Sequence, residues 1–208
     1  MRSRQDVVDG HDLGPDRAGR LGALIPPDFY TQPIIDLSRA LIGCELLVNG
    51  IGGLIVETEA YEASDPASHS FAGPTARNRA MWGPSRRAYV YRIYGMHWCL
   101  NIVGGVAPGA AVLLRALEPT RGLDVMATRR RTDDPRKLCA GPGRLCEALG
   151  VTAAQDGLPI DVPPFALKPR AHEPAIAVGL RIGITKAAEQ PWRFGLAGSR
   201  FLSRPLPR

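Results

Sequence analysis

The stretch Leu54 to Tyr61, reading Leu-Ile-Val-Glu-Thr-Glu-Ala-Tyr, constrains this chain more than any other. An apolar, partly β-branched run enters from Gly52 and Gly53, the pattern of a buried strand. It delivers Glu57, Glu59 and Tyr61 at every second position, so those three side chains share one face while Thr58 and Ala60 share the other. From Gly53 to Phe71 there are four acids (Glu57, Glu59, Glu62, Asp65) and neither Lys nor Arg. A carboxylate on a rigid strand, beside an aromatic and inside a basic protein, points to a catalytic group aimed at a polyanion. A solvated strand end would give the same residues, and these residues alone leave both readings open.

The cationic surroundings narrow the partner. Formal charge is +6, and 23 of the 26 basic residues are arginines, the lysines being Lys137, Lys168 and Lys186. Arginine pairs bidentately with phosphate and stacks on aromatic faces, which suits nucleic acid. At 208 residues, 45% of them hydrophobic, one compact domain with an ample core is expected. No apolar run is long enough to span a bilayer, and Met1 to Arg20 is charged without the apolar stretch of a secretory signal. A cytoplasmic protein is expected, nucleoid-associated if bacterial. Cys44, Cys99, Cys139 and Cys146 form no close pairs, so they read as reduced core thiols rather than a zinc ribbon.

In chain order, residues 1–20 read as a disordered tail and 21–208 as one domain. Ile34, Leu37, Leu41 and Ile42 recur at helical spacing between Pro33 and Gly43. Cys44 to Val48, the Asn49-Gly50 turn and the Leu54 strand predict a hairpin. Ser64 to Pro84 is a long polar connection, of a length that usually has a function, and it carries His69, Arg77 and Arg79. Ala110 to Leu117 is an apolar strand with Arg115 inside it, which requires a carboxylate or phosphate partner. From Glu118 a helix is expected to run to Arg129-Arg130-Arg131. Gly141-Pro142-Gly143 feeds a short helix stopped at Gly150, Gln155 to Pro174 reads as an exposed excursion, and short strands from Ala175, including Trp192 to Leu196, close the sheet.

Ala88 to Val103 predicts a second hairpin, with Tyr94-Gly95-Met96 at its tip. Tips usually carry polar residues, so a tyrosine and a methionine there resemble side chains that wedge between base steps in the minor groove. Tyr89 and Tyr91 could equally be core residues of the strand. Residues 72–130 hold nine arginines and two acids, a local charge of +7 that brackets this hairpin.

The motifs Ile55 to Tyr61, Asp65 to His69, Pro74 to Asn78, Tyr89 to Asn101, Val112 to Pro119, Leu138 to Leu149 and Pro191 to Ser203 together resemble the 3-methyladenine (alkyladenine) DNA glycosylases of base-excision repair. The likeness spans most of the chain beyond Arg20; Arg86-Arg87, Arg92 and Trp98 depart from it. It implies an α+β fold: one domain built on a curved, mostly antiparallel sheet, with peripheral helices and a protruding DNA-inserting β-hairpin. It also implies a water-activating carboxylate at Glu59, Arg115 helping to hold that water, and a backbone carbonyl from about Leu196 completing the site. The flipped base would lie between Tyr61 on one side and His69 with Tyr91 on the other. Tyr94, supported by Met96, would take the vacated place in the duplex, and Asn101 would screen against guanine. Arg77 and Arg79 are the candidate backbone contacts.

The implied activity is hydrolysis of the N-glycosidic bond of alkylated or deaminated purines (3-methyladenine, 7-methylguanine, hypoxanthine, ethenoadenine) in double-stranded DNA, leaving an abasic site. No metal, cofactor or membrane is expected to take part, and a monomer is expected. No lysine occurs in the Glu59 strand or the hairpin, which predicts hydrolysis without a Schiff base. Two other classes compete. A noncatalytic minor-groove binder would leave Glu59 and Arg115 unexplained, and a metal-dependent nuclease would use the acids from Glu57 to Asp65 as oxygen ligands. His69 could be a lone surface histidine, since His11, His97 and His172 form no ligand spacing with it.

Overall fold

Asn49 and Gly50 both adopt positive φ (50° and 79°) and turn strand β1 (Glu45–Val48) back along β2 (Ile51–Tyr61), the hairpin that the Asn-Gly pair predicts. The structure is a computed structural model, described for residues 25–206. The expected disordered tail over residues 1–20, with His11, lies outside the described residues. Before β1 comes helix α1 (Ile34–Ala40), entered from Pro33. It stops three residues short of Gly43, and Leu41 and Ile42 continue as a buried turn.

Strands β3 (Ala88–Ile93) and β4 (His97–Val103) form the second hairpin, and β5 (Ala111–Arg121) returns beside β4. Helices α2 (Leu123–Arg130), α3 (Pro135–Leu138) and α4 (Pro142–Leu149) follow, α4 ending at Gly150 with φ 72°. The chain closes with β6 (Phe165–Lys168), β7 (Ile176–Gly179) and β8 (Arg193–Leu196). All pairings are antiparallel, and the main path runs β3-β4-β5-β2-β1-β6. This is the α+β arrangement expected, a curved antiparallel sheet with peripheral helices.

Strand β2 is the hub. It pairs β5 along one edge, and along the other it pairs first β1 and then β8. Register shifts between Ile55 and Thr58 bend it where the partner changes, placing its acidic half under a different neighbour from its apolar half. Gly52 and Gly53 let the neighbours close in: a Cβ on either would lie 1.9 Å from the carbonyl oxygen of Leu46 or Glu118.

Two expectations fail for one reason, an unforeseen strand partner. Glu118 does not begin a helix; β5 continues to Arg121, because Leu54, Gly53 and Gly52 supply partners for Glu118, Pro119 and Arg121. The helix starts only after Gly122, at φ 71°. Residues 155–174 are not merely an exposed excursion, since they contain β6, which extends the sheet beyond β1 and buries Phe165.

The main core packs α1 and α4 against the sheet through Leu37, Ile55, Ile102, Leu114, Leu145 and Phe194. Ser38 of α1 and Thr58 of β2 exchange hydrogen bonds at 2.9 Å, which shows Thr58 facing away from Glu57 and Glu59. All four cysteines are free and buried. Burial pushes the Cys44 thiol up to about 11 and Cys139 up to about 12, so both stay protonated. Among the described residues, no helix is long and apolar enough to cross a membrane.

Candidate active site

Glu57 and Glu59 are both fully buried, so the solvated strand end is excluded. Period two aims both at Arg115 on β5, whose Nε donates to Glu57 Oε1 at 3.0 Å while an Nη contacts Glu59 Oε1 at 3.1 Å. The partner that a strand arginine needs is therefore a pair of carboxylates. The two then diverge. Glu57 also accepts from Arg193 (3.2 Å), from the Ser203 hydroxyl (2.8 Å) and from the Ser203 amide, which fastens the C-terminal segment to β2. Its Oε1 takes three donors and its Oε2 one.

Glu59 keeps spare capacity. Its Oε1 accepts the Ile182 amide at 2.8 Å besides Arg115, and among the described residues its Oε2 accepts from the Tyr61 hydroxyl alone, at 2.8 Å. Burial pushes the Glu59 carboxyl above its ordinary value, against the pull of Arg115, the Ile182 amide and the Tyr61 hydroxyl. The arrangement is a desolvated carboxylate with a free lone pair on Oε2.

The partners of Glu59 line a cavity of about 360 Å³, within the range of small-molecule sites. Tyr61, Arg115 and Ile182 bound it beside the carboxylate, and His69, Tyr91 and Asn101 bound it elsewhere. His69 is held by design of the fold rather than by chance. Its Nδ1 meets the Tyr89 hydroxyl at 2.9 Å, and its ring lies edge-on to Tyr91 with centroids 4.4 Å apart. Burial and then Arg77 push its imidazole below the ordinary value, so the ring is neutral at pH 7. Asn101 donates from Nδ2 to the Tyr89 carbonyl at 3.0 Å and is buried at the cavity wall.

Above the cavity, the turn residues Tyr94 and Gly95 both take positive φ (51° and 67°), the conformation that reverses a twisted hairpin. Tyr94 is 79% exposed and Met96 68%, although Tyr94 also touches the cavity rim. A non-glycine residue at positive φ, with its ring in solvent, is where a fold spends stability on something other than packing. Arg77 donates to the Arg92 carbonyl at 3.0 Å, which ties the His69 loop to the hairpin. Arg92 lies 5.5 Å over the Trp98 ring, and Arg77, Arg79 and Arg92 are all exposed.

Six of the candidate residues thus meet in one place: Tyr61, His69, Tyr91, Tyr94, Asn101 and Arg115, with Glu59 behind them. Met96, Arg77 and Arg79 lie outside the cavity lining. Leu196 is misplaced. The β8 register pairs Arg193 with Glu59 and Gly195 with Glu57, so Leu196 lies three residues beyond, on the order of 10 Å along the strand. Its carbonyl accepts from the Ser199 amide at 3.1 Å. The backbone that reaches Glu59 is that of Ile182, in the loop between β7 and β8, and nothing in the local sequence marks it. The same holds for Arg181, whose buried pairing with Asp65 spans 116 residues.

The methylpurine-DNA glycosylase (MPG) family matches residues 28–200. A protein of Nitrosospira multiformis is 60% identical over 178 residues, covering 85% of this chain and 92% of its own. One from Rhodopseudomonas palustris is 56% identical over 189 residues (90% and 92%), and one from Bradyrhizobium diazoefficiens 52% over 190 residues (91% and 95%). Each carries the name "Putative 3-methyladenine DNA glycosylase". The match runs across the Glu59 strand, the aromatic cavity, the exposed hairpin and the Ile182 loop, and on it the chain belongs to the methylpurine-DNA glycosylase family.

Proposed function

We propose that this glycosylase flips a damaged purine out of double-stranded DNA and hydrolyses its N-glycosidic bond with a water activated by Glu59. The observation that carries the reading is the buried Glu59 carboxylate, with an unused lone pair on Oε2, set behind an aromatic cavity that opens below an exposed tyrosine. A base inside a duplex is out of reach, and extruding it costs roughly a few kcal/mol. Tyr94, with Met96 beside it, fills the gap, and the exposed arginines Arg77 and Arg79 hold the backbone.

In the cavity the purine lies between Tyr61 and the His69–Tyr91 pair. Water bound to Glu59 and steadied by Arg115 attacks the anomeric carbon as the base leaves, and the proton passes to Glu59. Paired carboxylates serve in most glycoside hydrolysis. Here a single one suffices for a cationic alkylpurine, which is already a good leaving group, and Glu57 is held by Arg115, Arg193 and Ser203, the last two outside the cavity lining. The substrates are the alkylated and deaminated purines: 3-methyladenine, 7-methylguanine, hypoxanthine and ethenoadenine, of which the neutral bases take the proton they need on leaving from water. Asn101 sets a polar amide against the guanine 2-amino group, and the protein acts as a monomer.

A metal-dependent nuclease fits less well. The carboxylates it needs are occupied by cations of the chain itself, Glu57 and Glu59 by Arg115, and Asp65 by Arg181. Schiff-base chemistry lacks its amine, since no lysine lines the cavity. The test is to incubate the protein, with and without EDTA, with duplexes carrying each lesion and to measure free base and strand integrity. Free base with an intact abasic strand is expected. Strand cleavage that EDTA abolishes, or a covalent adduct trapped by borohydride, refutes the proposal.

A further inference from the structure

We infer that Arg181, paired with Asp65, is a positioning residue for this reaction, holding Glu59's amide donor and both walls of the base slot in one arrangement. This rests on the reading of Glu59 given above. Both side chains of the pair are completely buried. Arg181 donates to the Ala60 carbonyl at 3.1 Å, to the Ala187 carbonyl at 3.2 Å and to both oxygens of Asp65. Its guanidinium lies 4.8 Å from the Tyr61 ring centre and 5.1 Å from that of Trp192.

Each contact bears on a different part of the site. Ala60 sits between Glu59 and Tyr61, so the Arg181 hydrogen bond fixes the backbone that carries both. Ile182 follows Arg181 in the chain and donates its amide to Glu59. Residues 180–192 belong to no helix or strand, and the Arg181 side chain ties the residue before this amide to Ala60, Asp65 and Ala187. Tyr61 lines the cavity while Arg181 does not, so the cation backs the wall of the slot from outside. Asp65 Oδ1 also accepts the Ala67 amide at 3.0 Å, at the entry of the loop that presents His69.

Stability alone does not call for such a pair, because a buried ion pair is commonly matched by apolar side chains of equal volume. Geometry does. Only a planar guanidinium can bridge two carbonyls, grip a carboxylate with two parallel bonds and lie over two rings at once. A displacement of about 1 Å in a reacting group costs roughly 10²-fold in rate.

The experiment measures single-turnover excision against pH, and affinity for a duplex holding an abasic-site analogue, for the wild type, Arg181→Lys, the double variant Arg181→Met with Asp65→Leu, and Glu59→Gln. The titratable and charged groups facing Glu59 are Arg115, Glu57, Tyr61, Cys99 and Arg193, and none is altered in the Arg181 variants. Both Arg181 variants should excise roughly 10²-fold more slowly. The acid limb should move upward by on the order of one pH unit, since Glu59 loses a hydrogen bond to its charged form. Affinity should fall much less. A pair that only stabilised the fold would lower the folded fraction and leave the limb in place. In the wild type, the Ile182 and Ala67 amides should resist hydrogen exchange as strand amides do, a measurement that needs no variant to fold. Loop-like exchange there, or an unmoved limb at near-normal rate, overturns the inference. Should Glu59→Gln itself excise normally, the Glu59 reading falls instead.

Discussion

Replacing Glu59 with glutamine tests the mechanism because the two side chains have the same shape and the site can accommodate the change. With the amide oxygen in the Oε1 position, the hydrogen bonds from the Ile182 amide (2.8 Å) and Arg115 (3.1 Å) survive. The new NH2 takes the place of Oε2, where the Tyr61 hydroxyl at 2.8 Å can rotate and accept. Arg115 retains Glu57 at 3.0 Å, so the stability lost is that of weakened charge-assisted bonds, about 1–2 kcal/mol. The rate should drop by ~10² to 10⁴, the usual contribution of a positioned general base.

Glu57→Gln should behave in the opposite way. Arg115, Arg193 and the Ser203 hydroxyl donate to Oε1 and the Ser203 amide donates to Oε2. Whichever oxygen becomes NH2 then faces a donor. That leaves a buried polar group unmatched, about 1–3 kcal/mol or more because charge is involved. Thermal unfolding, abasic-analogue binding by fluorescence anisotropy, and hypoxanthine release under single turnover separate the cases. Glu59→Gln should melt and bind nearly as wild type yet fail to excise, whereas Glu57→Gln should melt early and retain chemistry in its folded fraction. Near-normal excision by Glu59→Gln, or the reverse ordering of the two variants, refutes the reasoning.

Tyr94 is 79% exposed, so Tyr94→Ala should leave thermal stability within about 0.5 kcal/mol while weakening binding and excision of paired lesions far more than of lesions in looped or mismatched DNA; equal losses on both substrates would make its role structural. Asn101→Ser should raise the release of unmodified guanine relative to hypoxanthine by on the order of tenfold to a hundredfold, the worth of one unmatched buried donor, and an unchanged ratio removes Asn101 as the filter. His69 should titrate below the ordinary histidine value by NMR, since burial and then Arg77 disfavour its charged form. Folding prefers the neutral ring, so stability is full above the unfolded value of about 6.5 and declines as pH falls through it toward the folded value; Arg77→Ala should move the His69 midpoint upward, and no movement would contradict the assignment of that charge.

What the sequence determined by itself is local. Alternation along Leu54 to Tyr61 set which side chains share a face, because the strand period is a property of the backbone. Asn49-Gly50 set one reversal, because positive φ is a preference of those two residue types, and Gly95 marked the second, where Tyr94 takes positive φ against its own preference. Gly150 stopped α4 for the same reason. The fold class and the aromatic and basic residues of the cavity were legible through the order of the motifs.

What tertiary structure decided is every relation across long chain separations. Spacing alone does not say which of Glu57 and Glu59 sits behind the cavity; Arg193 and Ser203, arriving 136 and 146 residues later, close over Glu57, while the partners of Glu59 line the cavity. The backbone carbonyl expected to complete the water site near Leu196 lies away from Glu59, and the backbone that reaches the carboxylate is the Ile182 amide, 123 residues away in a loop tied to Ala60 by the Arg181 side chain. An amide donor is supplied by backbone, which carries no residue-type signature. Strands β6 and the far end of β5 were missed likewise, since their partners lie on β1 and β2 rather than beside them in the chain. Side-chain pattern fixes which face a residue presents, and only the packed chain fixes what that face meets.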